Sequence, residues 1–314
     1  MISKLLRSLR TELKYEAWTR TLYFPLAVVV VALTMSLSGS VSNVSASLDQ
    51  FRSTEAHAEA NGLTLKEALA HPSNVVTQGN QRMLDNPLRF DYEHAYNSLQ
   101  AFDEENAVGT GLEMITFVVF PVLFFIYGCA VAVSDTRRRI LKDRILFQGP
   151  VPYVAAKASV VMAVAIGTVV VAAGASWLAA PILRATLLGE FAGELNYRPE
   201  IVRVGTPVLQ VVFSSSIAAA FGLLGFFVGL VSRAMTLPCL AAGGLLMVAP
   251  FAGAYDPRNI ISTIGQGVFN FWGGFSPRPS FPVDPGIGLI MLLGCLLLLV
   301  GISSAAWWRM TKFV

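Results

Sequence analysis

The sequence predicts an all-α integral membrane protein. Six transmembrane helices follow an N-terminal interfacial amphipathic helix, and a helical extracytoplasmic segment lies between spans 1 and 2. Three observations carry this reading. Of the 314 residues, 54% are hydrophobic and only 14% are charged, whereas soluble domains carry about 25% charged residues; the mean hydropathy is +0.59. Apolar runs long enough to cross a bilayer recur along the chain. Lys and Arg are also distributed unevenly between the gaps that separate those runs.

Residues 1–21 form the first element. Ile2, Leu5, Leu6, Leu9, Leu13 and Ala17 recur at helical spacing, with Lys4, Arg7, Arg10 and Lys14 towards the other side. Such a helix lies in the membrane interface, its cations near anionic headgroups. Val44-Ser45-Ala46 has the look of a cleavage site. The basic region and the apolar run before it are both too long for a signal peptide, so an uncleaved first span is expected.

The six apolar runs cover residues 22–41, 112–133, 158–183, 207–231, 237–254 and 287–308, and their only charged residue is Glu113, at the start of the second. The fifth run is interrupted by Gly243, Gly244, Pro250 and Gly253. Residues 22–314 are thus one six-span domain, holding an extracytoplasmic insertion at 42–111 and a cytoplasmic loop at 134–157. The gaps 1–21, 134–157, 232–236 and 309–314 hold 14 Lys and Arg against four acids; the remaining gaps, with Glu113 added, hold 9 against 16. Cytoplasmic loops are the ones enriched in Lys and Arg. Both termini are therefore expected in the cytoplasm, in a multi-pass protein of the plasma (inner) membrane.

Residues 42–110 carry ten acids and four cations. Thr64 and Glu67 fit a capping box, Asn61-Gly62 ends a preceding helix, and a second helix is expected over 91–106. His57, His71 and His94 match no metal-ligand spacing and read as solvent-exposed. Residues 255–286 are too apolar for a free loop and too rich in Gly and Pro for a span. Short helices dipping into the outer interface are expected there, anchored by Phe269, Phe271 and Trp272.

Within span 4, Ser214, Ala218, Gly222, Gly225 and Gly229 let helix backbones approach closely. Gly222, Gly225 and Gly229 read as a packing surface, within the chain more often than between chains. In span 2, Phe117, Phe120, Phe124 and Tyr127 share one face. The stripe is either core or lipid contact, or the wall of a path for an apolar substrate. Cys129, Cys239 and Cys295 fall inside spans and read as small buried hydrophobes.

Catalytic machinery is missing from the sequence. No G-x-x-x-x-G-K-[ST] phosphate loop, H-E-x-x-H or G-x-S-x-G occurs. The chain reads as no enzyme, with no metal site and no cofactor of its own, and no nucleic-acid partner is expected. No charge lies deep in a span, which argues against a proton- or sodium-driven pump. Transport, if this chain performs it, draws its energy from a partner.

The remaining signal is the loop "SDTRRRILKDRILFQGP", residues 134–150. Asp135 and Arg139 stand at i,i+4, as do Arg138 and Lys142. Ile140, Leu141, Ile145 and Leu146 make a partly apolar side, and Gly149, Pro150 and Pro152 stop the helix. A short charged helix stopped by Pro has the shape of a docking element, with Asp135, Arg138, Arg139, Leu141, Lys142 and Ile145 as its candidate contacts.

Here the chain resembles the type-2 ABC (ATP-binding cassette) exporter permeases, as a diverged member. Asp135 stands for the family's acid after span 2, "RILF" for its Leu-rich turn, Pro150 for its Pro and Lys157 for its Lys. Arg137-Arg138-Arg139 stand where the family has Gly-Thr, and Pro152-Tyr153 where it has Ser-Arg. The resemblance implies a homo- or heterodimer of permeases above two ATPase subunits, which bind ATP and Mg and receive the coupling helix. The membrane subunit would move an amphipathic or hydrophobic substrate (peptide, lipid or drug) outward. The rival expectation is a non-transporting scaffold or sensor whose extracytoplasmic segment binds a ligand.

Overall fold

A computed structural model describes residues 2–78, 81–189, 191–193, 195–199, 203–248 and 252–311. It is helical apart from one small antiparallel ladder. Twelve α-helices are described: α1 (Ile2–Trp18), α2 (Tyr23–Ala60), α3 (Leu65–Ala70), α4 (Pro87–Gln100), α5 (Ala107–Met114), α6 (Phe120–Arg137), α7 (Leu141–Gln148), α8 (Pro150–Leu187), α9 (Pro207–Ser232), α10 (Thr236–Gly243), α11 (Pro257–Gly265) and α12 (Pro285–Thr311). A π-helical turn, Ile115–Val119, joins α5 to α6 in one continuous rod. The strands β1 (Val75–Gln78) and β2 (Gln81–Leu84) pair with Val75 opposite Leu84.

Four of these rods are long and apolar enough to cross a membrane: Tyr23–Ala60, Ala107–Arg137, Pro150–Leu187 and Pro207–Ser232. The chain is a membrane-embedded helical bundle. Thr236–Met247 and Pro285–Gly294 are shorter apolar stretches. Pro250 of the fifth expected span lies outside the described residues, as do the side chains of Ile2, Lys4, Leu5, Leu6 and Arg7.

α2 and α8 each have 38 residues, about 57 Å at 1.5 Å per residue. That exceeds a hydrocarbon core of about 30 Å, so both project from it. The projecting half of α2 buries Val44, Leu48 and Phe51 at helical spacing against Leu88, Tyr92, Ala95 and Leu99 of α4. Phe51 meets Tyr92 edge to face at 5.3 Å. Residues 42–106 are therefore a small packed subdomain at the acidic end of the bundle. The expected capping box is formed: Thr64 N–H donates to Glu67 at 3.0 Å, and Glu67 N–H to Thr64 Oγ1 at 3.4 Å. Helix α4 starts earlier than expected, because Pro87 sits at its first turn and Asn86 caps it. The β1–β2 ladder had no sequence expectation.

The bundle is tightest where α6 meets α9. A Cβ at Gly225 would overlap the Phe125 carbonyl oxygen, and one at Gly128 the Gly222 carbonyl. A Cβ at Gly229 would press on Ala132 and Cys129, and one at Gly222 on Val161. The glycines read as a packing surface thus serve contacts inside this chain. Thr116 and Ser214 hydroxyls lie 2.7 Å apart, buried between the same rods.

Residues 252–284 fold back over the acidic end. Asp256 caps α11 through Arg258 N–H, and Asn259 ties down the backbone of Ser280 and Phe281. Phe271 and Gly274 both have positive φ (54° and 94°), which turns the chain sharply. Glu113, 2% exposed, accepts the backbone N–H groups of Gly273 and Phe275 in that turn. The expected interfacial anchors point inward instead: Phe269 is 1% exposed against Phe117 and Phe213, and Phe271 and Trp272 pack on the core.

Candidate functional site

The opposite, basic end is organised around the α6–α8 loop. α6 ends at Arg137, and Arg139 then adopts a left-handed conformation with φ 59°. Ile140 N–H returns to the Asp135 carbonyl at 3.1 Å. α7 runs for eight residues and stops at Gly149, φ 82°, with Pro150 opening α8 at once. The loop is a short helix between two sharp turns. A left-handed residue other than Gly costs about 1–2 kcal/mol, so the turn at Arg139 is held by what surrounds it.

Asp135 is fully buried. Its Oδ2 lies 2.9 Å from Lys157 Nζ, 2.9 Å from Tyr153 Oη and 3.4 Å from Arg144 Nη1. Lys157, 1% exposed, donates further to the Val131 carbonyl and to Ser134 Oγ, both at 3.0 Å. Arg144 reaches across to α1, where its Nη1 contacts both oxygens of buried Glu12 at 2.7 and 2.9 Å. Its guanidinium stacks 4.1 Å from the Tyr15 ring centre. Arg138 donates to Tyr15 Oη at 2.6 Å. One network therefore joins α1, α6, α7 and α8.

Charge and burial explain its chemistry. Burial alone would lower the affinity of Arg144 for its proton, but Glu12 and Asp135 outweigh burial and hold its pKa above the ordinary value. Burial raises the Tyr15 phenol, and Asp135 adds to the rise, while Arg138 and Arg144 oppose it. Glu16, 1% exposed, is the extra acid. Burial pushes its carboxyl up, partly offset by Thr21 and by the Lys157 charge. Glu16 Oε2 and the Asp135 Oδ1 atom have no hydrogen-bond partner among the described residues. Buried charges that lose a partner cost about 3–5 kcal/mol, so this cluster is sensitive to any shift of one helix against the others.

The sequence-expected contacts separate into two groups. Arg138, Arg139 and Lys142 are exposed. Asp135 is the buried hub and faces no partner. Leu141 and Ile145 pack on the chain's own core. The apolar side open to another molecule is Leu146 and Phe147, 78% and 90% exposed. The i,i+4 spacing of Asp135 with Arg139, and of Arg138 with Lys142, is not kept on one helix, because the backbone breaks at Arg139. Glu12, Tyr15, Glu16 and Tyr153 were not singled out from sequence. A signal for two of them exists: on the inward face of α1 (Leu9, Glu12, Leu13, Glu16), two acids interrupt an apolar stripe.

The aromatic stripe of span 2 is closed in. Phe120, Phe124 and Tyr127 are 0%, 0% and 1% exposed, and stack along the helix at 5.6 and 6.5 Å. Phe117 sits among Phe213, Phe269, Phe271 and Phe275. No cluster of three or more metal-ligating side chains occurs among the described residues. Protein-family models, curated proteins and solved structures were compared with the chain, and none matches.

Proposed function

We propose that the chain is the permease subunit of an ATP-driven exporter of the type-2 ABC kind. It has six spans, both termini in the cytoplasm of a plasma (inner) membrane, and works as a dimer with separate ATPase subunits that bind ATP and Mg. It moves an amphipathic or hydrophobic substrate outward. The observation that carries this reading is α7: a short helix between two sharp turns, apolar outward at Leu146 and Phe147, and latched inward through Arg144. Arg139 has the backbone conformation that Gly favours, at the place where the resembling family has Gly-Thr, which supports the same reading.

In this account an ATPase groove takes Leu146 and Phe147. When the ATPase subunits close, α7 is displaced. Arg144 carries the displacement to Glu12 on α1 and to Asp135 on α6, and Asp135 carries it to Lys157 on α8. The linked helices then move as rigid bodies. α9 follows α6, because their backbones touch at Gly225 and Gly128.

The test is purification of the tagged full chain from native membranes in mild detergent. The expected result is co-purification of an ATPase subunit and Mg-dependent ATP hydrolysis by the complex. Leu146→Asp and Phe147→Asp are expected to lose that subunit while the chain still inserts and stays monodisperse. Retention of the subunit at the original level by both variants, or purification with no ATPase subunit, overturns the reading.

A further inference from the structure

The acidic end holds a feature of opposite sign. A hollow of about 720 Å³ lies between α4, the outer end of α8 and the segment after it. Although residues 42–110 are strongly acidic, three arginines line this hollow, Arg184, Arg198 and Arg203, with Asp103 the one acid among the described lining residues. Its floor is apolar: Leu99 and Leu195 are 2% and 6% exposed. Arg184 is ion-paired with Asp103, and Arg203 with Glu105. Arg198 has no ion-pair partner among the described residues.

The position says what kind of anion fits. Arg184 stands three residues before the end of α8, where the apolar run 158–183 leaves the bilayer, at the level of lipid headgroups. A second hollow, about 370 Å³, shares the Arg184–Asp103 pair and is lined also by Phe102, Pro181, Ala185 and Gly189, with exposed Glu104 as a further acid. Pro181 and Ala185 are on α8 itself, and nearby Leu178 and Ile182 are exposed as lipid-facing side chains are. A polar hollow with guanidinium groups therefore adjoins an apolar one that reaches one turn deeper.

We propose that this paired hollow binds the phosphate headgroup of an anionic phospholipid, with Arg198, Arg203 and Arg184 on the phosphate and the start of an acyl chain against Phe102 and Pro181. Arg is suited to it, since the guanidinium fork bonds phosphate oxygens in pairs. Asp103 competes with the headgroup for Arg184. The proposal is independent of ATPase docking.

The experiment uses the full-length chain purified in detergent. Bound lipid is counted by native mass spectrometry after titration with phosphatidylglycerol, phosphatidylcholine or free sn-glycerol 1-phosphate. Phosphatidylglycerol is expected to bind, weakening as salt rises, and phosphatidylcholine to bind at least tenfold less. Arg198→Gln and Arg203→Gln, both exposed and free to change without loss of fold, are each expected to weaken phosphatidylglycerol by roughly tenfold. Asp103→Asn is expected to tighten it, an effect opposite to that of simple damage. Equal binding of the two lipids, or affinity unchanged in the double Arg198/Arg203 variant, overturns the proposal. Competition by glycerol phosphate as strong as by the lipid overturns the lipid assignment in favour of a free phosphate ester.

Discussion

Each end of the bundle buries an acidic side chain at the end of a membrane helix, and the two are held by different means. At the basic end, Asp135 is surrounded by side chains from other segments: Lys157, Tyr153 and Arg144. At the acidic end, Glu113 is held by the backbone N–H groups of Gly273 and Phe275, with no cation paired to it among the described residues. A carboxyl group held by backbone amides fixes one turn to one helix. A carboxylate held by cations on two other helices depends on where those helices stand. The first is a clamp, and the second reads out relative position. In the exporter reading, the end that meets the ATPase is the end built to sense displacement.

The largest expected effect breaks the basic end. Lys157→Met leaves Asp135 buried without its nearest cation and should cost about 3–5 kcal/mol. A double variant, Asp135→Leu with Lys157→Met, should recover much of that, because an apolar pair leaves no orphan charge. Glu113→Gln keeps an acceptor oxygen for the Gly273 and Phe275 amides and should cost only about 1–2 kcal/mol. Thermal melts of the purified chain decide between these. A Glu113→Gln loss as large as that of Lys157→Met would mean that the two acids do the same work.

Next in size is a change to the clamp itself. A Cβ at Gly273 would enter the space of the Glu113 carboxylate and Ser40 Oγ, so Gly273→Ala should cost about 1–3 kcal/mol by overpacking. Gly167 and Gly174, in α8, have open space around them. Ala at either should be neutral or stabilising by up to about 1 kcal/mol, from helix propensity. Equal melts for Gly273→Ala and Gly167→Ala would remove the clamp from the account.

These two ends were unequally legible in the sequence. The rods themselves were visible, since four of the expected spans stand as long apolar helices. The capping box at Thr64 and the stop at Gly62 also followed from local residue chemistry. Asp135 was found from local charge spacing and Lys157 from a family resemblance, 22 residues apart in sequence. Glu12 was not found, because its partner Arg144 is 132 residues away and no local pattern encodes such a meeting. Leu141 and Leu146 looked alike on a helix drawn from Asp135 to Phe147. Both lie in α7, where five residues carry a side chain about 140° around the axis beyond a full turn, so one turned inward and the other outward. Phe269, Phe271 and Trp272 failed as lipid anchors for the same kind of reason. Aromatic composition shows that a ring wants burial, and only the turn at Phe271 and Gly274 decides where.

The smallest expected effect concerns pH, and it sharpens the contrast. Glu16 is buried beside Lys157, Glu12 and Asp135, and burial holds its carboxyl above the usual range. A carboxyl raised by folding binds its proton more tightly in the folded chain. Its contribution to stability is full below the ordinary carboxylate range and is lost as pH rises through the folded value. The acidic end offers the opposite case: Asp256 is lowered to about 2, chiefly by its hydrogen bonds from Arg258. Its contribution is present above the ordinary carboxylate range and lost only as pH falls towards about 2, so it is silent between pH 5 and 8. Within that window, stability should therefore decline gently with rising pH, and Glu16→Gln should flatten the decline while Asp256→Asn lowers the melting temperature without changing the slope. Melts at pH 5, 6, 7 and 8 for the three chains test this directly. A Glu16→Gln slope equal to that of the unaltered chain would show that the buried acid of α1 is not what the basic end titrates.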